Sequence, residues 1–205
     1  MRSGLDPYKS TAVGDKSPCA FDQLPIVQHT SERGSVSIAQ TAAAAQYIGS
    51  VTGLAPVDDP AAMARLASAC IGIQEMYNAL FYGSFIPKLV FEKVLCGACC
   101  FAPMRALVRW RLRAKHGQWC AVFERWLRTT KAEDAAVAFL GGGATMSYAD
   151  ICLFDCVEGI EDCGYFDAGD RAKYPLLTAL YDHVGAAPAI AAYLAKRGSR
   201  FVAAA

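Results

Sequence analysis

The chain has 205 residues, 54% of them apolar and 19% charged, with a formal net charge of +1. That balance excludes an intrinsically disordered chain and gives no electrostatic basis for binding nucleic acid. The longest uncharged apolar run, residues 94–104, is 11 residues long and contains Gly97 and Pro103, whereas a membrane-spanning helix needs about 20, so no span is expected.

The first ten residues lack the apolar core of a signal peptide. Nine cysteines (Cys19, Cys70, Cys96, Cys99, Cys100, Cys120, Cys152, Cys156 and Cys163) are scattered, mostly within apolar helical patterns. Cysteine there acts as a small hydrophobe, and the pattern points to free thiols in a reducing, intracellular, cytoplasmic compartment.

Residues 1–20 are polar and turn-rich. Residues 21–28 read as a strand entered through Pro25, whose missing N–H suits a strand start or an edge. Residues 29–35 read as a hairpin turn, and Val36–Ile38 as an antiparallel partner strand. A helix over 42–48 follows, with Thr41 as N-cap and Gly49 at its end. The segment 50–59, with Gly53 and Pro56, is a linker that divides the chain into domains at 1–54 and 58–205.

Asp59-Pro60 opens a long amphipathic helix to about Phe81: aspartate caps and proline takes the first helical position. Its apolar positions are Met63, Leu66, Ala67, Cys70, Ile73, Met76, Tyr77 and Leu80. Residues 83–103 are broken by Gly83, Pro87, Gly97 and Pro103. A second long helix covers 104–131, with Trp110, Trp119, Phe123, Trp126 and Leu127 among its apolar positions and Gly117 interrupting it.

After Gly141-Gly142-Gly143, Ser147 and Asp150 stand three apart ahead of an apolar run. That is a capping box with aspartate in the glutamate position, flanked by Met146 and Ile151 as a hydrophobic staple. The capped helix covers 147–161. Two more helices follow, Tyr174–Val184 and Pro188–Arg197, the second ending in basic residues that suit the helix dipole.

This order resembles the cytosolic glutathione S-transferase family, nearest its sigma-like or alpha/mu/pi-like branch. The matching residues are Gln23-Leu24-Pro25-Ile26 entering a strand, Gln40-Thr41 before a helix, the Gly/Pro linker, the Ser147–Asp150 box and the Tyr174-Pro175…Pro188 ending. The resemblance implies an α+β, mostly α fold. A partial thioredoxin-like unit of two strands and a helix would precede an all-α C-terminal domain. It also implies glutathione as co-substrate or ligand. Pro25 matches the family's cis proline, Leu24 the residue whose backbone pairs with the cysteinyl part, and Gln40 and Thr41 the pair holding the γ-glutamyl carboxylate. Tyr77, Phe81 and Tyr82 match the hydrophobic substrate site, and Glu75 the acid that reaches a dimer partner's glutathione.

The departure is at the start. A βαβ unit takes about 30 or more residues, and only 24 precede Pro25. The expectation is therefore a shortened thioredoxin-like domain without the thiol-activating residue of the first strand; Tyr8 and Cys19 lie outside any strand-like context.

Other motifs are weaker. Cys96-x-x-Cys99-Cys100 has no second ligand pair, because His29, His116 and His183 are isolated. Packing or a contact surface is the better reading, and no metal is expected. Arg105, Arg109, Arg111, Arg113 and Lys115 read as a solvated helix face.

Two functions compete. One is glutathione conjugation to electrophiles, with a hydrogen bond lowering the thiol pKa. The alternative is a non-catalytic accessory subunit that docks through its helical domain as a homodimer or in a larger assembly. The shortened start and the apolar, cysteine-rich stretch 84–104 motivate that alternative.

Overall fold

The computed structural model describes residues 26–32, 34–80 and 102–197. Strands β1 (Ile26–Ser31) and β2 (Gly34–Ala39) pair antiparallel from Ile26↔Ala39 to Ser31↔Gly34. The ladder thus runs through most of the expected 29–35 turn. Its far end is polar yet paired: Thr30 Oγ1 and Ser35 Oγ lie 2.9 Å apart across the strands. Polar side chains on an exposed hairpin disguise strand as turn, because the backbone pairing does not depend on them. Gly34, at φ 111, takes the left-handed conformation beside the reversal.

Helix α1 (Thr41–Val51) corrects two expectations. Gln40 is the N-cap, at φ 73 and ψ 123, and Thr41 is already helical. Gly49 does not end the helix. The chain reverses at Gly53, φ 76, in a Schellman motif whose Leu54 N–H donates to the Gly49 carbonyl at 2.8 Å. Gly49 is needed for a different reason. A Cβ there would lie 2.6 Å from Tyr148 Cδ1 and 2.8 Å from Tyr148 Cγ and Cβ. Tyr148 N–H also donates to the Leu54 carbonyl at 3.0 Å, tying the turn after α1 to a later helix.

Helix α2 (Pro60–Leu80) starts as expected: Asp59 Oδ1 accepts from Ala61 N–H at 2.9 Å and Ala62 N–H at 3.0 Å. It buries Leu66, Ala69, Cys70, Ile73 and Met76. Tyr77, placed among the apolar positions, is 38% exposed. Helix α3 (Ala102–Thr130) runs unbroken through Gly117, whose carbonyl accepts from Tyr174 Oη at 2.9 Å. One glycine costs only about 1 kcal/mol in a helix interior, less than the packing of this long element supplies. Pro103, read as a breaker, lies in the first turn, where its missing N–H has no helical partner to lose. Trp110, placed among the apolar positions, is 67% exposed.

Helix α4 (Tyr148–Asp162) is central: it packs on α1, on α2 and on α6 (Pro175–Ala186), while α3 packs on α2 and α6. It contributes Leu153, Phe154, Cys156, Val157 and Ile160 to the core. The capping box forms with Asp150 as its hub. Fully buried, Asp150 accepts from Ser147 N–H and Leu140 N–H, each at 2.8 Å, and from Ser147 O–H at 2.6 Å. Burial pushes the Asp150 carboxyl up, against the lowering effect of these donors. Trp126 Nε1 donates to the Leu140 carbonyl and Arg65 to the Gly141 carbonyl, both at 3.1 Å, so the loop is held from three helices.

Sequence reading missed α5 (Ala168–Lys173). Its cap repeats the box spacing: Asp167 accepts from Gly169 N–H and Asp170 N–H, and Asp170 from Asp167 N–H. Helix α6 has Pro175 at its first position and no side-chain cap from Tyr174. The cap comes from α3 instead, where buried Glu124 Oε2 accepts from Leu176 and Leu177 N–H at 3.0 Å. Helix α7 (Pro188–Arg197) closes the chain, and Arg197 Nη2 reaches Glu158 on α4 at 2.6 Å.

Urea denaturation checks two consequences. Asp150→Ala strands buried donors, at about 1–3 kcal/mol each, so it destabilises by at least about 2 kcal/mol. Ser147→Ala costs about 1 kcal/mol. Gly49→Ala gains about 1 kcal/mol of helix propensity but overpacks Tyr148 at about 1–3 kcal/mol, so it is neutral or destabilising.

Candidate functional site

The site begins where β2 passes into α1. Gln40 stands between them in a left-handed conformation that costs a residue with a Cβ about 1–3 kcal/mol. Its carbonyl accepts from Ala44 N–H at 2.9 Å, the first helical bond of α1. Its side chain makes no cap bond, and the first turn of α1 carries no acid. The amides at this end and the helix dipole therefore suit an anion. Gln40 and Thr41 are both exposed there. Behind them, His29 of β1 meets Tyr47 of α1 edge-on, with ring centroids 5.7 Å apart.

Of the other expected site residues, Gln23, Leu24, Pro25, Phe81 and Tyr82 lie outside the described residues, as do Tyr8, Cys19 and the Cys96–Cys100 cluster. Tyr77 and Glu75 sit exposed on α2. Gln40 and Thr41 are thus the expected pair whose adjacency is described. Among the described residues, no group of three or more His, Cys, Asp or Glu could hold a metal ion. No described helix is long and apolar enough to cross a membrane. The basic stretch is partly consumed internally: Arg113 bonds the Asp167 and Asp170 carboxylates, joining α3 to the cap of α5.

His116 departs from the solvated helix face on which its sequence neighbours place it. His116, fully buried on α3, stacks on Tyr165 at 5.5 Å, and neither ring nitrogen has a hydrogen-bond partner. Burial, aided by Lys115, lowers its pKa to about 4. Cys70 on α2 is buried and Cys152 on α4 half-buried, both at the core that these two helices share.

Residues 112–197 match the family model of the glutathione S-transferase C-terminal domain. A glutathione S-transferase of Methylobacterium radiotolerans, solved in complex with glutathione sulfonate, is 19% identical. Its alignment covers 91% of this chain and 78% of that one, with a TM-score of 0.57. The structure of NaGST-2 is 20% identical over 88% of this chain and 76% of that one, with a TM-score of 0.56. A search of curated proteins gave no match. Residues 112–197 thus match a glutathione S-transferase C-terminal domain, the chain shares the fold of these solved proteins, and β1, β2 and α1 are consistent with a shortened thioredoxin-like unit.

The His116 geometry predicts a pH dependence. The folded pKa lies near 4, against 6.5 for the free side chain. Between these values the unfolded chain binds the extra proton, so stability falls as pH drops from 6.5 to 4, by about 3 kcal/mol in all. His116→Leu flattens that slope in urea titrations across the range. It costs little at neutral pH, because the ring nitrogens have no bonds to lose.

Proposed function

We propose that this chain binds glutathione in the manner of a glutathione S-transferase, with the γ-glutamyl carboxylate at the N-terminal end of α1. The single observation carrying this reading is Gln40, held at φ 73 directly before that helix. A strained non-glycine residue at an anion-suited helix terminus marks a position where backbone geometry serves a ligand. Thr41 would add its hydroxyl, and Leu24 and Pro25 would present backbone to the cysteinyl part. Glutathione is thereby the co-substrate of conjugation to an electrophile, with Tyr77, Phe81 and Tyr82 on the electrophile's side. A reducing, cytoplasmic compartment fits that co-substrate. The complex of the Methylobacterium protein with glutathione sulfonate supports the ligand class.

A second reading has an observation of its own. Trp110 is 67% exposed and Ile71 57% exposed on long helices. Large apolar side chains in such positions suit a docking partner, and an accessory subunit would use them without turnover. Sedimentation measurements and an assay of glutathione conjugation to an activated aryl halide separate the two. Turnover that depends on glutathione favours the enzyme. A stable assembly without turnover favours the subunit.

Binding is read by thermal unfolding with glutathione. Ligand at a hundred times its Kd adds about 2.7 kcal/mol, a Tm rise of about 5–10 °C for a chain of this size. No rise at millimolar glutathione would sink the proposal. Gln40→Gly relieves the backbone, raising stability by about 1 kcal/mol, yet weakens glutathione binding roughly tenfold through the lost side chain.

A further inference from the structure

Helix α3 carries seven cations and a single acid, Glu124. That acid is turned inward: it is buried and caps α6. The helical repeat puts Arg111, Lys115, Arg125 and Arg128 on one side of α3, with Trp110 at its start. All five side chains are exposed, Trp110 by 67%. His116, Cys120, Phe123 and Leu127 fill the opposite, buried side. The ridge from Trp110 to Arg128 is about 27 Å long, and no exposed carboxylate of α3 lies on it.

The charge on this ridge is not neutralised within the chain. Among the described residues, no ion pair engages Arg111, Lys115 or Arg125. Arg128 meets Glu124 only at 3.7 Å, with its own side chain 73% exposed. Arg111 and Lys115 stand four apart, a spacing at which like charges destabilise a helix. An anionic partner lying along the ridge relieves that repulsion.

We infer that this ridge docks the chain on an anionic phospholipid bilayer, with α3 lying flat on the headgroups and Trp110 as the interfacial anchor. Cations near such a surface gain from its negative potential, which the cytoplasmic leaflet supplies. An indole suits the headgroup layer because its ring is apolar and its N–H is polar. A straight row of cations on one helix also matches a plane. Other polyanions fit less well. Single-stranded nucleic acid needs successive aromatic platforms, and Trp110 is the one aromatic side chain exposed on the ridge. A duplex would meet the cations but leave the indole without an apolar partner. An acidic protein would need an apolar centre to its interface, which one tryptophan among arginines does not supply. The near-neutral total of the chain does not oppose docking, because exposed charges more than about 8 Å away are screened. The inference depends on neither glutathione binding nor a protein partner.

The test is co-sedimentation of the full chain with vesicles of pure phosphatidylcholine, or of phosphatidylcholine and phosphatidylserine in equal parts. The expected result is binding to the mixed vesicles alone, released by molar salt, where screening shortens to about 3 Å. Arg111→Ala, Lys115→Ala and Arg125→Ala should each weaken partitioning about fivefold, and together about a hundredfold. Lys196→Ala removes an exposed cation on α7, off the ridge, and should leave partitioning unchanged. A second measurement uses the unaltered chain: brominated acyl chains in the mixed vesicles should quench its indole emission. Trp110→Phe should remove the quenchable part, because Trp119 and Trp126 are half-buried. No binding to the mixed vesicles, equal binding to both kinds, or an equal loss in Lys196→Ala overturns the inference. So does quenching that persists in Trp110→Phe, or binding to DNA at a salt concentration where the vesicles are not bound.

Discussion

The Asp150 carboxylate is the constraint on which the helical half depends. It is fully buried and spends its acceptor capacity on three donors, two from Ser147 and one from Leu140. Because Leu140 also receives Trp126 and its neighbour Gly141 receives Arg65, one carboxylate connects α2, α3 and α4 through a single loop. A buried carboxylate is expensive in a low-dielectric core. Here the cost is offset by donors that would otherwise be stranded with it.

Position, more than chemistry, follows from that hub. Once α4 is fixed, Tyr148 at its first turn reaches Gly49 on α1 and the Leu54 carbonyl beyond it. The helix that begins at Gln40 is therefore seated on the helix that begins at Ser147. The candidate anion site at one end of α1 inherits its orientation from a folding device more than a hundred residues away.

The second half shows how caps migrate between elements. Asp167 and Asp170 repeat the three-residue spacing of Ser147 and Asp150, and this local signal was present to be read. Glu124 could not have been read that way. It caps α6 from α3, more than 50 residues earlier in the chain. Nothing in the neighbourhood of Glu124 distinguishes it from a surface acid on a charged helix. His116 is similar: a lone histidine in a basic run looks solvated, and only packing reveals it as a neutral, stacked ring.

Local sequence determined what local physics controls. Asp59-Pro60 started α2, the Ser147–Asp150 spacing started α4, and the ordered set of short motifs pointed to a glutathione S-transferase-like fold before any contact was known. Local propensity misled where tertiary contacts outweighed it. Gly117 and Gly49 stayed helical because the packing of their helices outweighs the small propensity cost of one glycine; the hairpin ran on through polar residues because backbone pairing ignores side-chain polarity. The tertiary structure alone decided that Gln40 is strained, that Glu124 is a cap, and that His116 is a buried ring stacked on Tyr165. Each of these depends on residues distant in sequence becoming neighbours, and no local spacing carries that information.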